Sequence, residues 1–142
     1  MPEKKTLERA RKDAREGKAP TTQAGEFVRE EMEHIREGKH GARSTKQAIA
    51  IGLSKARRAG VALPPPKPGR TSKRTERQAK RDLAKGQSGK GNRKPSPKRS
   101  RAVRSALKRE GHSAASRKSL SKQARSAAQA RKRRGTVTQG TA

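Results

Sequence analysis

The scarcity of large apolar side chains constrains this chain more than any other feature. Six Leu, three Ile, four Val and one Phe make up 14 of its 142 residues, and a highly charged chain with less than roughly 20% of these residue types tends to be disordered. Apolar burial contributes about 25 cal/mol per Å², whereas ordering one residue costs about 1–2 kcal/mol of backbone entropy. We therefore expect a minimal core, with much of the chain disordered outside it.

The charge of the chain indicates the chemistry of its partner. Forty Lys and Arg face 12 Asp and Glu, which gives a formal net charge of +28. Residues 1–60 hold 15 basic and 9 acidic residues (+6), and residues 61–142 hold 25 and 3 (+22). Polyanions relieve the self-repulsion of such a chain, and nucleic acid carries one phosphate charge per roughly 1.7 Å of duplex. The sequence therefore predicts a nucleic-acid partner.

Periodicity and stop signals divide the chain into three regions. The first, residues 1–62, contains predicted helices at about 3–16, 24–37 and 45–59, ending at Gly17, Gly38 and Gly60. The proline-rich stretch "LPPPKPG" favours an extended linker over residues 63–72. The third region is a basic tail, residues 73–142, with short predicted helices at about 73–85, 98–110 and 119–133. The predicted fold is small and all-α, with no sheet: a short helical hairpin followed by a largely disordered, loosely helical basic tail.

The hairpin is predicted from two neighbouring amphipathic helices. In the later helix Ser44 is the expected N-cap, Gln47 its capping-box partner, and one face carries Ile49, Leu53 and Ala56, with Gly52 between them. The earlier helix presents a stripe of Ala24, Val28, Met32 and Ile35. Two such helices joined by a short loop fold as an antiparallel pair and bury their stripes against each other.

Acidic residues predict which side of the hairpin faces away from phosphate. One side of the second helix carries Glu26, Glu30, Glu33 and Glu37, which we expect to be solvated. Nucleic-acid contacts are therefore expected from the third helix and the loop before it, through Lys39, Arg43, Lys46, Lys55, Arg57 and Arg58. The candidates in the tail are Arg93, Lys94, Lys98, Arg99, Arg101, Arg104, Lys108, Arg109, Arg117, Lys118, Lys122, Arg125, Arg131, Lys132, Arg133 and Arg134.

The sequence "SPKR" at residues 96–99 resembles the SPKK-type elements in the tails of linker histones and sperm histones, which contact the minor groove. Pro97 would fix the backbone turn, while Lys98 and Arg99 would present cations to a groove of enhanced negative potential. Alternatively, Ser96 caps a helix with Pro97 at its first position. The two interpretations are compatible.

Several functional classes are not expected from this sequence. There is no cysteine, and neither a signal-peptide pattern nor an apolar run of membrane-spanning length is found. His34, His40 and His112 are scattered, without the spacing of a helical metal pair, so we expect no metal site. A core this small offers no place to shift the pKa of a catalytic group. We expect a cytoplasmic protein that is not an enzyme, has no cofactor and does not insert into membranes, although its basic segments suit anionic lipid surfaces.

Two stretches resemble a known family. "STKQAIAIGLSKARRAG" at residues 44–60 and "SALKREGHSAASRKSLSKQARSAAQARKR" at 105–133 resemble a family of short, very basic bacterial proteins of unknown function. The resemblance implies a bacterial, cytoplasmic protein, with no family activity or binding residues to carry over. The tail is also similar in composition to lysine-rich histone-like proteins.

The function predicted from these features is sequence-nonspecific nucleic-acid binding, as a nucleoid-associated DNA-binding protein that neutralises phosphates. Without Tyr or Trp, and with one Phe, base stacking on aromatic side chains is not expected. RNA or ribosome association would use the same charges. A third alternative is an interaction or stress protein whose hairpin, residues 24–60, docks a protein partner while the tail only keeps it soluble. The oligomeric state is left open.

Overall fold

The computed structural model describes residues 2–88 and 96–139, with side chains described as far as residue 135. All regular secondary structure in these residues is helical, which confirms the all-α class. The elements are α1 (Lys4–Arg15), α2 (Pro20–Arg36), α3 (Thr45–Arg58), α4 (Lys73–Ser88), α5 (Pro97–Arg109), a 3₁₀ turn (Ser113–Ala115) and α6 (Arg117–Gln139). An α-helix lies at each of the six positions where the sequence pattern predicts one.

The first three helices end at the glycines expected to stop them. Gly17, Gly38 and Gly60 have φ angles of 75°, 77° and 105°, in the left-handed region that side chains with a Cβ rarely adopt. After α3, the N–H of Val61 donates back to the carbonyl oxygen of Ala56 at 3.1 Å. The chain therefore turns sharply, and Val61 returns to the core.

The starts of α2 and α3 follow two different rules. The Ser44 hydroxyl accepts a hydrogen bond from the N–H of Gln47 at 3.1 Å, so the predicted N-cap is confirmed. The side chain of Gln47 accepts from the N–H of Arg43 at 2.6 Å, one residue before the cap. Helix α2 begins at Pro20, earlier than predicted, because proline is well tolerated at a first helical position, where its missing N–H removes no helical bond.

Small residues form the contact between α2 and α3. Ala48 and Ala56 are fully buried, and a Cβ added to Gly52 would lie 2.7 Å from the Cα of Val28. The seam of the hairpin is thus Ala48, Gly52 and Ala56, four residues apart. Ile49 and Leu53, predicted to lie on the central face, pack from the side and stay partly exposed. Small side chains at this seam let the two backbones approach closely.

Two small apolar clusters make up the core. The first consists of Ala10, Ala24, Phe27, Ala56, Val61 and Leu63, and Phe27 is 1% exposed. The second consists of Met32, Ile35, Ala42, Ala48, Ala114 and Ala115. Pairing of early α2 with late α3, and late α2 with early α3, shows that the hairpin is antiparallel.

Part of the basic tail packs on the hairpin. Helix α4 packs against α3, and Ala114 and Ala115 are buried in the second cluster. The N–H groups of Gly41 and Ala42 donate to the carbonyls of Leu107 and Gly111 at 2.8 and 3.0 Å. Helix α5 itself buries none of its residues. The core thus draws on residues far along the chain, an arrangement that local patterns did not predict.

We predict that Gly52→Ala destabilises the protein by roughly 1–3 kcal/mol, because the new methyl group overlaps the backbone of α2. Chemical denaturation followed by circular dichroism measures the change. Gly25→Ala is the matched control, since a Cβ on Gly25 in α2 meets nothing within 4 Å. That control should gain about 0.5–1 kcal/mol from helix propensity. Equal effects of the two substitutions would contradict close packing at Gly52.

Candidate nucleic-acid interface

A cationic cleft lies between the start of α3 and the first half of α6. It has a volume of about 400 Å³ and is lined by Arg43, Ser44, Thr45, Lys46, Ser113, Ala114, Ser119, Lys122, Gln123 and Ser126. Three of these residues are cations, five carry hydroxyl groups, and none is acidic. The lining therefore suits an anion such as phosphate.

Two helix N-termini meet at this cleft. Ser44 caps α3, and the Ser116 hydroxyl accepts from the N–H of Ser119 at 3.2 Å in the first turn of α6. The hydroxyl of Thr45 donates to the carbonyl of Ala114 at 2.6 Å, which ties the two helix starts together. Partial positive charge at helix N-termini stabilises bound anions and adds to the charge of the three side chains.

A larger groove adjoins the cleft. Its volume is about 660 Å³, and it shares Lys46 and Gln123 with the cleft while extending along α3 to the linker and α4. Ile49 and Leu53 line it beside Arg74, and none of its lining residues is acidic. The apolar residues that the sequence predicts as core therefore also line a surface groove with cations along it.

The six cations predicted in the hairpin region divide into different environments. Arg43 and Lys46 are exposed at the cleft. Lys39 lies 3.3 Å from Glu37 and 3.4 Å from Glu3, and hydrogen bonds to these two carboxylates raise its pKa. Lys55 forms an ion pair with the buried Glu31. Arg58 is exposed, and its Nε donates to the Ser54 carbonyl. Arg43 and Lys46 are thus the two that the structure brings to the cleft.

Arg57 is a correction to the predicted site. It is 7% exposed, and its guanidinium donates to the carbonyls of Leu63 and Pro64 at 3.3 and 3.0 Å. Burial lowers the pKa of Arg57, partly offset by the charge of Asp82. Because its donors hold the start of the linker against α3, Arg57 serves the fold, and only a small part of it reaches the neighbouring groove.

The candidate cations of the tail that the structure describes lie on α5 and α6. Lys122 joins Arg43 and Lys46 at the cleft, and Arg93 and Lys94 fall outside the described residues. The remaining candidates are exposed on the surfaces of α5 and α6: Lys98, Arg99, Arg101, Arg104, Lys108, Arg109, Arg117, Lys118, Arg125, Arg131, Lys132, Arg133 and Arg134. Within "SPKR", the Ser96 hydroxyl accepts from the N–H of Arg99 at 3.1 Å, so this segment caps α5 while Lys98 and Arg99 face solvent.

The acidic residues of α2 are less solvated than predicted. Glu30 and its neighbour Glu31 are 2% and 1% exposed. Glu33 pairs with Arg29 at 3.2 Å, and Glu37 pairs with Lys39. The prediction that these acidic residues are solvated is therefore wrong for Glu30. Residues 2–3, which we call the N-terminal arm, cover it, and the backbone N–H of Glu3 donates to its carboxylate.

Two of the three histidines are close in space, which the sequence spacing did not indicate. The rings of His34 and His40 stand edge to face with centroids 6.0 Å apart. His34 Nε2 lies 3.0 Å from Glu3 Oε1, and His40 Nε2 lies 3.2 Å from Glu31 Oε2. The expectation that the histidines are scattered is thus wrong for this pair, because the turn after α2 folds His40 back against the helix.

A model of a known family matches a segment in the first half of the chain. Residues 5–67 match the model of a family of unknown function (DUF6496). The match spans α1 to α3 and the start of the linker, and for this part it confirms the resemblance seen at residues 44–60; the similar stretch at 105–133 lies outside it. No curated protein and no solved structure shows a significant match.

No helix in residues 2–88 and 96–139 has both the length and the apolar composition needed to cross a bilayer. The sequence likewise contains no apolar run of that length.

We predict that Gly41→Ala opens one wall of the cleft. A Cβ at this position would overlap the carbonyl groups of Glu110 and Gly111, so the segment carrying Ala114 would be pushed off the hairpin. Amide exchange at Ala42 should become about 5- to 150-fold faster, given a cost of roughly 1–3 kcal/mol for such overpacking. Gly111→Ala is the matched control on the other side of the same contact. A Cβ added to Gly111 meets nothing within 4 Å, so the exchange rate at Ala42 should not change.

Proposed function

We propose that this protein binds nucleic acid without sequence preference, as a DNA-binding protein of the bacterial nucleoid. The observation that carries the proposal is the cleft where Arg43, Lys46 and Lys122 converge with five hydroxyl-bearing residues and no carboxylate. In a chain with 12 acidic residues, a cleft free of them is suited to phosphate. Hydroxyl groups and cations are the usual phosphate ligands of DNA-binding proteins.

Contacts with phosphate, and not with bases, are expected from the side chains present. The single Phe, Phe27, is buried in the core, and the chain has no Tyr or Trp, so no phenyl, phenol or indole ring is offered for stacking on a base. Exposed cations on α5 and α6 extend the positive surface beyond the cleft. Such a surface neutralises phosphates along a duplex and does not read a sequence.

RNA remains the alternative that uses the same surface, and titration against DNA and RNA duplexes distinguishes the two. Docking of a protein partner on the acidic side of α2 has less support, because Glu30 and Glu31 are buried and Glu33 and Glu37 are paired. Less acidic surface is therefore offered to a protein partner than the sequence predicts.

We predict that changing Arg43, Lys46 and Lys122 together to Gln weakens binding to double-stranded DNA more than removing three cations elsewhere on the protein does. If each contacts one phosphate, the slope of log K against log salt should become shallower by about 2.7, at roughly 0.9 per phosphate. Fluorescence anisotropy with the full chain at 50–200 mM salt, against DNA and RNA duplexes of equal length, measures both slope and preference.

The matched control replaces one Arg and two Lys on α1 by Gln: Lys5, Arg11 and Lys12, all exposed. This variant has the same net charge as the cleft variant. Equal loss of affinity in both variants would show that binding depends on total charge and would reject the cleft as the site. Tighter binding to RNA at every salt concentration would reject DNA as the preferred partner.

Point substitutions are preferable to truncation after Gly60. Val61 and Leu63 belong to the first cluster of the core, and Ala114 and Ala115 belong to the second. A shortened chain would lose these side chains together with the charge of the tail. Any change in binding would then combine unfolding with the loss of contacts.

A further inference from the structure

Five chemically active side chains meet beside the C-terminal half of α2, and the proposed nucleic-acid interface uses none of them. They come from three segments of the chain: Glu3 before α1; Glu30, Glu31 and His34 on α2; and His40 in the loop before α3. Glu30 and Glu31 have side chains 1% exposed, and both imidazoles are 14% exposed. A cluster of three carboxylates and two imidazoles is unexpected in so basic a chain.

The spacing of these groups suits a metal ion. Glu3, Glu30 and His34 each offer a ligand atom within 4.8 Å of the others, and so do Glu31, His34 and His40. His34 Nε2 lies 3.0 Å from Glu3 Oε1 and 3.9 Å from Glu30 Oε1. Ligands bound tetrahedrally to Zn²⁺ at about 2.0–2.1 Å stand roughly 3.3 Å apart. Two of the three separations in the first triad, 3.0 and 3.9 Å, lie on either side of this value.

Glu30 has one of the four buried carboxylate oxygens without a hydrogen-bond partner among the described residues, and it is the one that belongs to this cluster. One carboxylate oxygen accepts from the backbone N–H of Glu3, whereas Oε2 is buried and has no hydrogen-bond partner. Leaving a charged oxygen buried and unpaired costs several kcal/mol in general, so such groups are normally satisfied by a donor or a metal. Glu31, in contrast, is already held by Lys55 and His40.

The charge balance of the cluster also favours a divalent cation. Three carboxylates face two ammonium groups, since Lys39 lies 3.4 Å from Glu3 and Lys55 pairs with Glu31. Lys39 also lies 3.3 Å from Glu37, which adds a fourth carboxylate, and the two negative charges then left over match one divalent ion.

We infer that Glu3, Glu30 and His34 bind a divalent transition-metal ion of the Zn²⁺ type, with Glu31 and His40 as the adjoining pair. Imidazole and carboxylate donors suit such ions. The ion would join the N-terminal arm to α2 and thereby fix the arm over the hairpin. This site goes beyond nucleic-acid binding and shares no residue with the cationic cleft.

Isothermal titration calorimetry of ZnCl₂ into the full chain, prepared without a histidine tag, tests the site. We expect one ion per chain, with binding weakened at least tenfold in His34→Ala and in Glu30→Gln. His112→Ala is the matched control, because His112 is exposed and lies outside both triads. This control should bind zinc as the natural chain does.

Thermal unfolding supplies a second readout that does not depend on the heat of binding. Excess zinc should raise the Tm of the natural chain and of His112→Ala by at least about 5 °C, because a ligand of the folded state stabilises it by mass action. Glu30→Gln removes an unpaired buried charge and so should fold without metal, yet its Tm should not respond to zinc. Equal zinc affinity in the natural chain and Glu30→Gln, or no zinc binding by the natural chain, would overturn the inference.

Discussion

The close approach of α2 and α3 at Gly52 is the constraint on which the rest of the structure depends. A core with one aromatic ring cannot fill a wide space between helices, so the helices must come close enough for alanine to fill it. Ala48, Gly52 and Ala56 permit this. Ile49 and Leu53 are displaced to the flank, where they line the groove beside the cleft. The same small residues that close the core therefore shape the surface next to it.

A third of the acidic residues are buried, whereas most basic residues lie at the surface. Within the described residues the buried acids are Asp13, Glu30, Glu31 and Asp82, whereas Arg57 is the buried cation. The buried acids sit among partners close by, as Glu31 does between Lys55 and His40. Most Lys and Arg side chains remain outside. This separation leaves the cleft without any carboxylate, although Glu residues are frequent on α2.

Local features of this protein were predictable from its sequence, and long-range ones were not. The helices, the Ser44 cap and the three glycine stops follow from periodicity and backbone chemistry that act within a few residues. Burial of Arg57 depends on where the linker returns, and the meeting of Glu3 with Glu30 and His34 depends on how α1 lies on α2. Arg43 and Lys46 were predicted as contacts, but their convergence with Lys122 required the packing of the tail against the hairpin. Contacts between distant segments leave no periodic signal in a sequence.

The alanine-rich core has a thermodynamic consequence. Heat-capacity change on unfolding follows mainly from newly exposed apolar surface, and ordinary domains show about 12–15 cal/mol/K per residue. Two clusters in which alanine is the commonest residue expose little such surface, so we expect a value below that range and a flatter stability curve. Ionic strength screens the repulsion among the 40 cationic side chains, so we expect it to have a large effect on the free energy of unfolding.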